Sequence, residues 1–207
     1  MIISREEGAE IGQQYFYGQG KRKSYKKAFP YLLEAAQAGE PHCQNLVAYC
    51  YDRGLGSEKN GDAALLWYKQ AAANCDREAL FNLGLLYEKG RLVDVNLSKA
   101  FSLYKKAAEL GDLPAQTNLA VAYLEGNGTQ PNITEGINWL RRAANAGDPK
   151  AHYDLALAYF EGEGVRQNDA RGKKWLDRAA KQGQGKASRR LEILNSKRRH
   201  KGTNLNS

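Results

Sequence analysis

The stretch AHYDLALAYFEGEGVRQNDARGKKWLDRAAKQG, Ala151 to Gly183, decides the fold. Ala151, Leu155, Ala156 and Tyr159 recur at spacings of four and three, which places them on one face of a helix. Gly162 and Gly164 then stop that helix, because glycine accepts the left-handed conformation of a helix end at no steric cost. Asn168 suits the N-cap of a second helix, where its side-chain oxygen takes up a free backbone N–H, an interaction worth about 1 kcal/mol. In the second helix Trp175, Ala179 and Ala180 are predicted to face inward. The alanines allow close helix approach, and the indole supplies bulk. Gly183 closes a helix–turn–helix unit.

The same unit repeats along the chain. Tyr15, Tyr51, Tyr87, Tyr123 and Tyr159 stand 36 residues apart. Three residues after each comes Gly18, Gly54, Gly90, Gly126 or Gly162, and five after each Gly20, Gly56, Leu92, Gly128 or Gly164. The large apolar slot holds Tyr31, Trp67, Leu103, Trp139 and Trp175, and a double alanine follows it every time. Ser24, Asn60, Asn96, Asn132 and Asn168 are the expected N-caps of the second helices. The closing slot is Gly39, Cys75, Gly111, Gly147 and Gly183. The acidic residues Glu40, Asp76, Asp112 and Asp148 follow it and are expected to cap the next first helix.

A single helical hairpin cannot bury its apolar face, whereas stacked neighbours can. The expected fold is therefore all-α: a right-handed α/α superhelix of five 36-residue repeats, 4–39, 40–75, 76–111, 112–147 and 148–183. Residues 184–196 read as a C-terminal capping helix with Ala187 and Leu191 inward and Lys186, Arg189 and Arg190 outward. Residues 197–207 read as a basic, flexible tail.

The composition, 42% hydrophobic and 26% charged over 207 residues, is that of a folded chain. No run of 18 apolar residues is present, and the first dozen residues carry Arg5, Glu6, Glu7 and Glu10, unlike a secretory leader. The expected compartment is the cytoplasm, although a chain trimmed of a leader would read the same. The net charge of +8 is concentrated at one end: residues 184–207 carry +6 and residues 1–183 only +2. Cys43, Cys50 and Cys75, odd in number and close together, are expected as free thiols, with a Cys43–Cys75 bond as the alternative.

Little in the sequence points to catalysis. His42, His152 and His200 lie in different repeats and the tail, without Cys or carboxylate at metal-ligand spacing, so no metal, cofactor or catalytic residue is expected. The Gly-x-Gly pairs join helix to helix rather than strand to helix, so a phosphate-binding loop fails on context.

With these positions in place, the chain resembles the Sel1-like repeat family, a relative of the tetratricopeptide repeats. Ala151, Leu155, Ala156, Tyr159, Gly162, Gly164, Val165, Asn168, Trp175, Ala179, Ala180 and Gly183 match one whole unit of its pattern. Leu92, Leu103, Tyr31 and Cys75 depart from it, and the per-repeat cysteine pair of some secreted members is missing. The resemblance implies a non-catalytic scaffold that binds a protein or peptide in a concave groove. It implies a bacterial signalling adaptor, a regulator of exported factors, or an inhibitor or immunity protein. A β-lactam-binding or hydrolysing activity is the alternative that some relatives suggest, with no residue here to carry it over.

If first helices line such a groove, the positions one step off the core face are the candidate partner-binding residues. These are Gln13 and Phe16, Asn45 and Tyr49, Phe81 and Leu85, Thr117 and Val121, and Tyr153 and Leu157, with Arg53 and Glu161 at the rim. Exposed apolar ladders of this kind mark interaction sites. Packing of the same residues between adjacent first helices fits the pattern equally. A monomer is favoured. Contact with nucleic acid or an anionic membrane through Lys197–Lys201 is a further alternative, weaker than a solvated end.

Overall fold

The computed structural model describes residues 5–203, and the side chains of 6–195. Among the described residues there are eleven α-helices and no strand. They fall into two compact units, Met1–Asp112 and Leu113–Ser207. The first holds three hairpins: α1 (Arg5–Tyr17) with α2 (Tyr25–Gln37), α3 (Pro41–Arg53) with α4 (Gly61–Ala73), and α5 (Arg77–Lys89) with α6 (Leu97–Glu109). The second holds α7 (Leu113–Glu125) with α8 (Ile133–Asn145), α9 (Pro149–Glu161) with α10 (Asp169–Lys181), and a terminal α11 (Gly185–Thr203).

The local punctuation follows the sequence. Ser24, Asn60, Asn96, Asn132 and Asn168 each accept a hydrogen bond from the backbone N–H three residues on, at 2.9–3.4 Å. Asp76 and Asp148 cap α5 and α9 in the same way, at 2.7 and 2.6 Å. Glu40 does not: its longer side chain makes no cap bond, and Pro41 at N1 starts α3 with one fewer N–H to satisfy. Gly54, Gly90 and Gly162 take the left-handed conformation at the ends of α3, α5 and α9.

The two departures in glycine slots, Leu92 and Cys75, adopt the same left-handed backbone, with φ of 66° and 58°. Leu92 fits because the residue beneath it is Gly61; a Cβ there would lie 2.6 Å from the leucine methyl. At the equivalent Gly56 a Cβ would collide with the Tyr25 carbonyl oxygen, and at Gly164 with the Ile133 and Ile137 side chains, so both slots demand glycine on space as well as on φ. Cys75 is exposed and carries the left-handed cost without such compensation. Cys75→Gly is therefore expected to stabilise the protein by about 1 kcal/mol, or roughly 2–4 °C in melting temperature, in a thermal melt. All three cysteines are free, which disposes of a Cys43–Cys75 bond: Cys43 is buried in the core and Cys75 faces solvent.

The core corrects one expectation. The large slot Tyr31, Trp67, Leu103, Trp139 and Trp175 is only half-buried, and the next residue, Leu32, Tyr68, Tyr104, Leu140 or Leu176, lies fully inside. The indoles sit instead at the seams between hairpins. Trp67 packs on the core of the first hairpin and on that of the second and third, and Trp175 bridges two cores of the second unit. The double alanines are buried or half-buried against the partner helices. Helix α11 lays Ala187, Leu191 and Leu194 onto the core beside α10. It runs to Thr203, past the expected end at 196, so the backbone of 197–203 is helical where a tail was expected. The rest of that tail, and the side chains of 196–207, lie outside the described residues.

Candidate partner-binding faces

On each first helix two side chains four residues apart share the face beside the core stripe. In the first unit these are Ala9 and Gln13 on α1, Asn45 and Tyr49 on α3, and Phe81 and Leu85 on α5. In the second they are Thr117 and Val121 on α7, and Tyr153 and Leu157 on α9. Tyr49, Phe81, Leu85, Val121, Tyr153 and Leu157 are half-exposed, and Arg53 and Glu161 are exposed.

Three expected site residues are core instead. Phe16 is 7% exposed, and its ring packs edge-on against Tyr17, Tyr25 and Tyr49 at 5.0, 5.2 and 6.0 Å. It stands three residues beyond Gln13, in the slot that Asp52 holds on α3, so the repeat register puts Ala9 in the pair. Asn45, 2% exposed, donates to Glu78 at 3.3 Å and accepts from Asn82 at 3.0 Å, tying α3 to α5. Thr117, 1% exposed, donates to the Asp148 carboxylate at 3.1 Å, and that carboxylate caps α9. A partner cannot reach these side chains. The reason is common to all three: each bonds or packs to the neighbouring first helix or to its own hairpin.

The first unit's face also carries polar groups that single positions did not reveal. The Tyr17 hydroxyl and His42 Nε2 are 3.0 Å apart, and His42 Nδ1 lies 3.6 Å from Asp76 and 3.9 Å from Glu78. The Asp76 carboxylate beside it pushes the His42 pKa up. This row of hydroxyl, imidazole and carboxylate has the order of a nucleophile relay, but its electrostatics oppose that chemistry. Burial, then Glu78 and Asp76, push the Tyr17 phenol up to about 12, so the nucleophilic phenolate is disfavoured. Arg53 stacks over Tyr49 at 5.8 Å, giving this face a cation above an aromatic ring.

In the second unit Lys150 Nζ donates to Asn118 at 3.0 Å. Asp154, on the same side, is partly buried, and its Oδ2 has no hydrogen-bond partner among the described residues. Burial pushes its pKa up to about 6, with Lys150 and Lys186 opposing and Asp148 and Glu125 reinforcing. The folded-state pKa lies above the unfolded 3.8, so the native state binds the extra proton and stability falls as pH rises from about 4 to 6. Asp154→Asn should remove that fall and raise stability at pH 7 by about 1–2 kcal/mol, read from urea midpoints across pH. A partial signal for this polar row was present in the repeat: Glu10, Asn82, Asn118 and Asp154 share one position of the 36-residue unit, which the second repeat fills with the core residue Leu46.

Helical hairpins with every motif residue committed to packing, capping or turning define a repeat scaffold that presents side chains on its first helices. The Sel1 repeat pattern matches residues 9–40, 41–74, 77–112, 113–148 and 149–184, and the chain belongs to the Sel1 repeat family, of the α/α solenoid class. Among solved structures, it is similar to a Sel1 repeat protein from Oxalobacter formigenes, with a TM-score of 0.86 and 29% identity over 93% of this chain and 78% of that one. It is also similar to c5321, a protective antigen present in uropathogenic Escherichia coli strains, with a TM-score of 0.80 and 27% identity over 92% of this chain and 41% of that one. A chitin synthase regulator, SKT5 of Saccharomyces cerevisiae, is 35% identical over 79 residues, 36% of this chain. The chain spans only 11% of that regulator's length. No helix among the described residues is long and apolar enough to cross a membrane.

Proposed function

We propose that the chain is a non-catalytic scaffold that binds another protein or peptide through its first-helix faces. In the first unit the contact residues are Tyr49, Arg53, Phe81 and Leu85, and in the second Val121, Tyr153, Leu157 and Glu161. The observation that carries this reading is the half-exposure of those aromatic and aliphatic side chains beside a fully packed core. Apolar groups left accessible at regular spacing on a rigid frame are what a binding surface needs. Within the class, the finer assignment is an adaptor or signalling regulator, or an inhibitor of the immunity-protein kind.

The test begins with affinity capture from the native host, read by mass spectrometry, followed by titration of the captured protein. A chain carrying Leu85→Glu and Tyr153→Glu should bind at least tenfold more weakly, about 1.4 kcal/mol, while its far-ultraviolet circular dichroism is unchanged. Unchanged affinity in that variant would move the binding surface elsewhere. Turnover of a chromogenic β-lactam by the purified chain would sink the non-catalytic reading.

A further inference from the structure

A cleft of about 480 Å³ opens in the first unit, away from the first-helix pairs, at the ends of α2 and α4 and the start of α3. Its wall is one indole, Trp67, four carboxamides, Gln37, Gln44, Gln70 and Asn74, and two alanines. No charged side chain lines it. The volume lies within the ~300–1,000 Å³ of small-molecule sites, but the lining is richer in carboxamides than their usual, mostly apolar one.

Comparison among the repeats shows what sets this seam apart. In the second unit an arginine three residues after each tryptophan covers the indole: Arg142 over Trp139 at 4.7 Å and Arg178 over Trp175 at 4.5 Å. The corresponding residue after Trp67 is Gln70, and no cation stands over Trp67 among the described residues. In the fifth repeat His152 holds the place of Gln44. It lies against Trp175 at 5.3 Å, with both ring nitrogens engaged, by the Ala144 carbonyl at 2.7 Å and Gln182 at 2.9 Å. Gln44 is also buried, donating to the Ala36 carbonyl at 3.1 Å and accepting from Asn74 at 3.2 Å. A carboxamide has two N–H donors and two acceptor lone pairs, so Gln44 retains one of each.

We propose that this cleft is a binding site for a neutral saccharide of one or two rings. A pyranose presents an apolar C–H face and a rim of hydroxyls, each both donor and acceptor. The indole supplies the platform for the face. The carboxamides supply donors and acceptors in pairs, as vicinal hydroxyls require. The uncharged wall offers phosphates, carboxylates and ammonium groups no counter-charge to pair with.

The test uses the full chain and a panel of neutral hexose, pentose and N-acetylhexosamine disaccharides, with adenosine and a proline tetrapeptide as competing chemistries. Saturation-transfer NMR and tryptophan fluorescence should show at least one disaccharide binding with a Kd of about 1 mM or tighter. Trp67→Ala also removes packing, so the deciding variant is Gln70→Arg, which installs the cation that covers the later tryptophans. It should weaken saccharide binding at least tenfold and leave the helical signal and melting temperature unchanged. Three results overturn the assignment: no disaccharide binding at about 10 mM, ten times that Kd; undiminished binding by Gln70→Arg; or binding of adenosine or the peptide alone.

Discussion

Leu140→Ala is expected to lower stability by about 3–5 kcal/mol, and more than Trp139→Ala does. Leu140 has no exposed surface and packs with Ile137, Ala143, Leu155 and Tyr159 in the core of the second unit. Its neighbours on α8 and α9 include several alanines, whose side chains cannot extend into the space that the truncation leaves. The cavity therefore persists, and lost contacts add to lost transfer free energy. Trp139, half-exposed at the hairpin edge with Arg142 over its ring, has less to lose. Urea unfolding of the two variants checks the order. A larger loss for Trp139→Ala would return the indole to the inside of the hairpin.

The second large effect is expected at Arg91. Its guanidinium grips both carboxylate oxygens of Asp52, one of them through Nη2 at 2.9 Å. Asp52 is 2% exposed, and among the described residues the other cation beside it is Arg53, whose Nε lies at 3.6 Å. Arg91→Ala leaves a buried carboxylate without its main counter-charge and should cost about 2–3 kcal/mol, less than for a fully buried pair because the arginine is partly exposed. Arg91→Lys should lose part of the same amount, since an ammonium cannot form the two-pronged contact. Asp52→Asn combined with Arg91→Ala should lose less than Arg91→Ala alone, because no charge remains inside. A double-mutant cycle reads this directly, and strict additivity would mean that the pair contributes nothing.

That ion pair belongs to an exchange between two ways of filling the same space. Where the penultimate slot of the first helix is apolar, as in Phe16, Leu124 and Phe160, the facing slot of the second helix is Leu32, Leu140 or Leu176. Where it is acidic, as in Asp52 and Glu88, the facing slot is Tyr68 or Tyr104, and the Tyr104 hydroxyl donates to Glu88 at 2.5 Å. Burial and the nearby Asp52 carboxylate push the Tyr68 pKa up, which keeps its hydroxyl a donor. The apolar solution has its own accommodation: Gly136 and Gly172 lie beneath Leu124 and Phe160, where a Cβ would come within 2.6 and 2.9 Å of those side chains.

The exchange shows what was readable in advance. Helix ends, asparagine caps, double alanines and the 36-residue period were legible because each rests on local backbone conformation or on identity at a fixed spacing. The candidate faces were legible only in part. Tyr49, Phe81, Leu85, Val121, Tyr153 and Leu157 are half-exposed, while Phe16, Asn45 and Thr117 are buried. Nothing local distinguishes Asn45 from a solvent-facing asparagine; its partners Glu78 and Asn82 come from the next repeat, more than thirty residues away.

The sequence alone therefore determined that this chain forms helical hairpins of the Sel1 type, and where the glycine stops and the serine and asparagine caps of the five hairpins fall. Those features are set within one turn of backbone. Only the tertiary structure decided which side of each helix is core. One residue turns a helix by about 100°, and the rotation is chosen by contacts with other helices. That choice sent Leu140 inward and Trp139 to the edge, and left Trp67 facing an amide-lined cleft where its later counterparts lie beneath arginines.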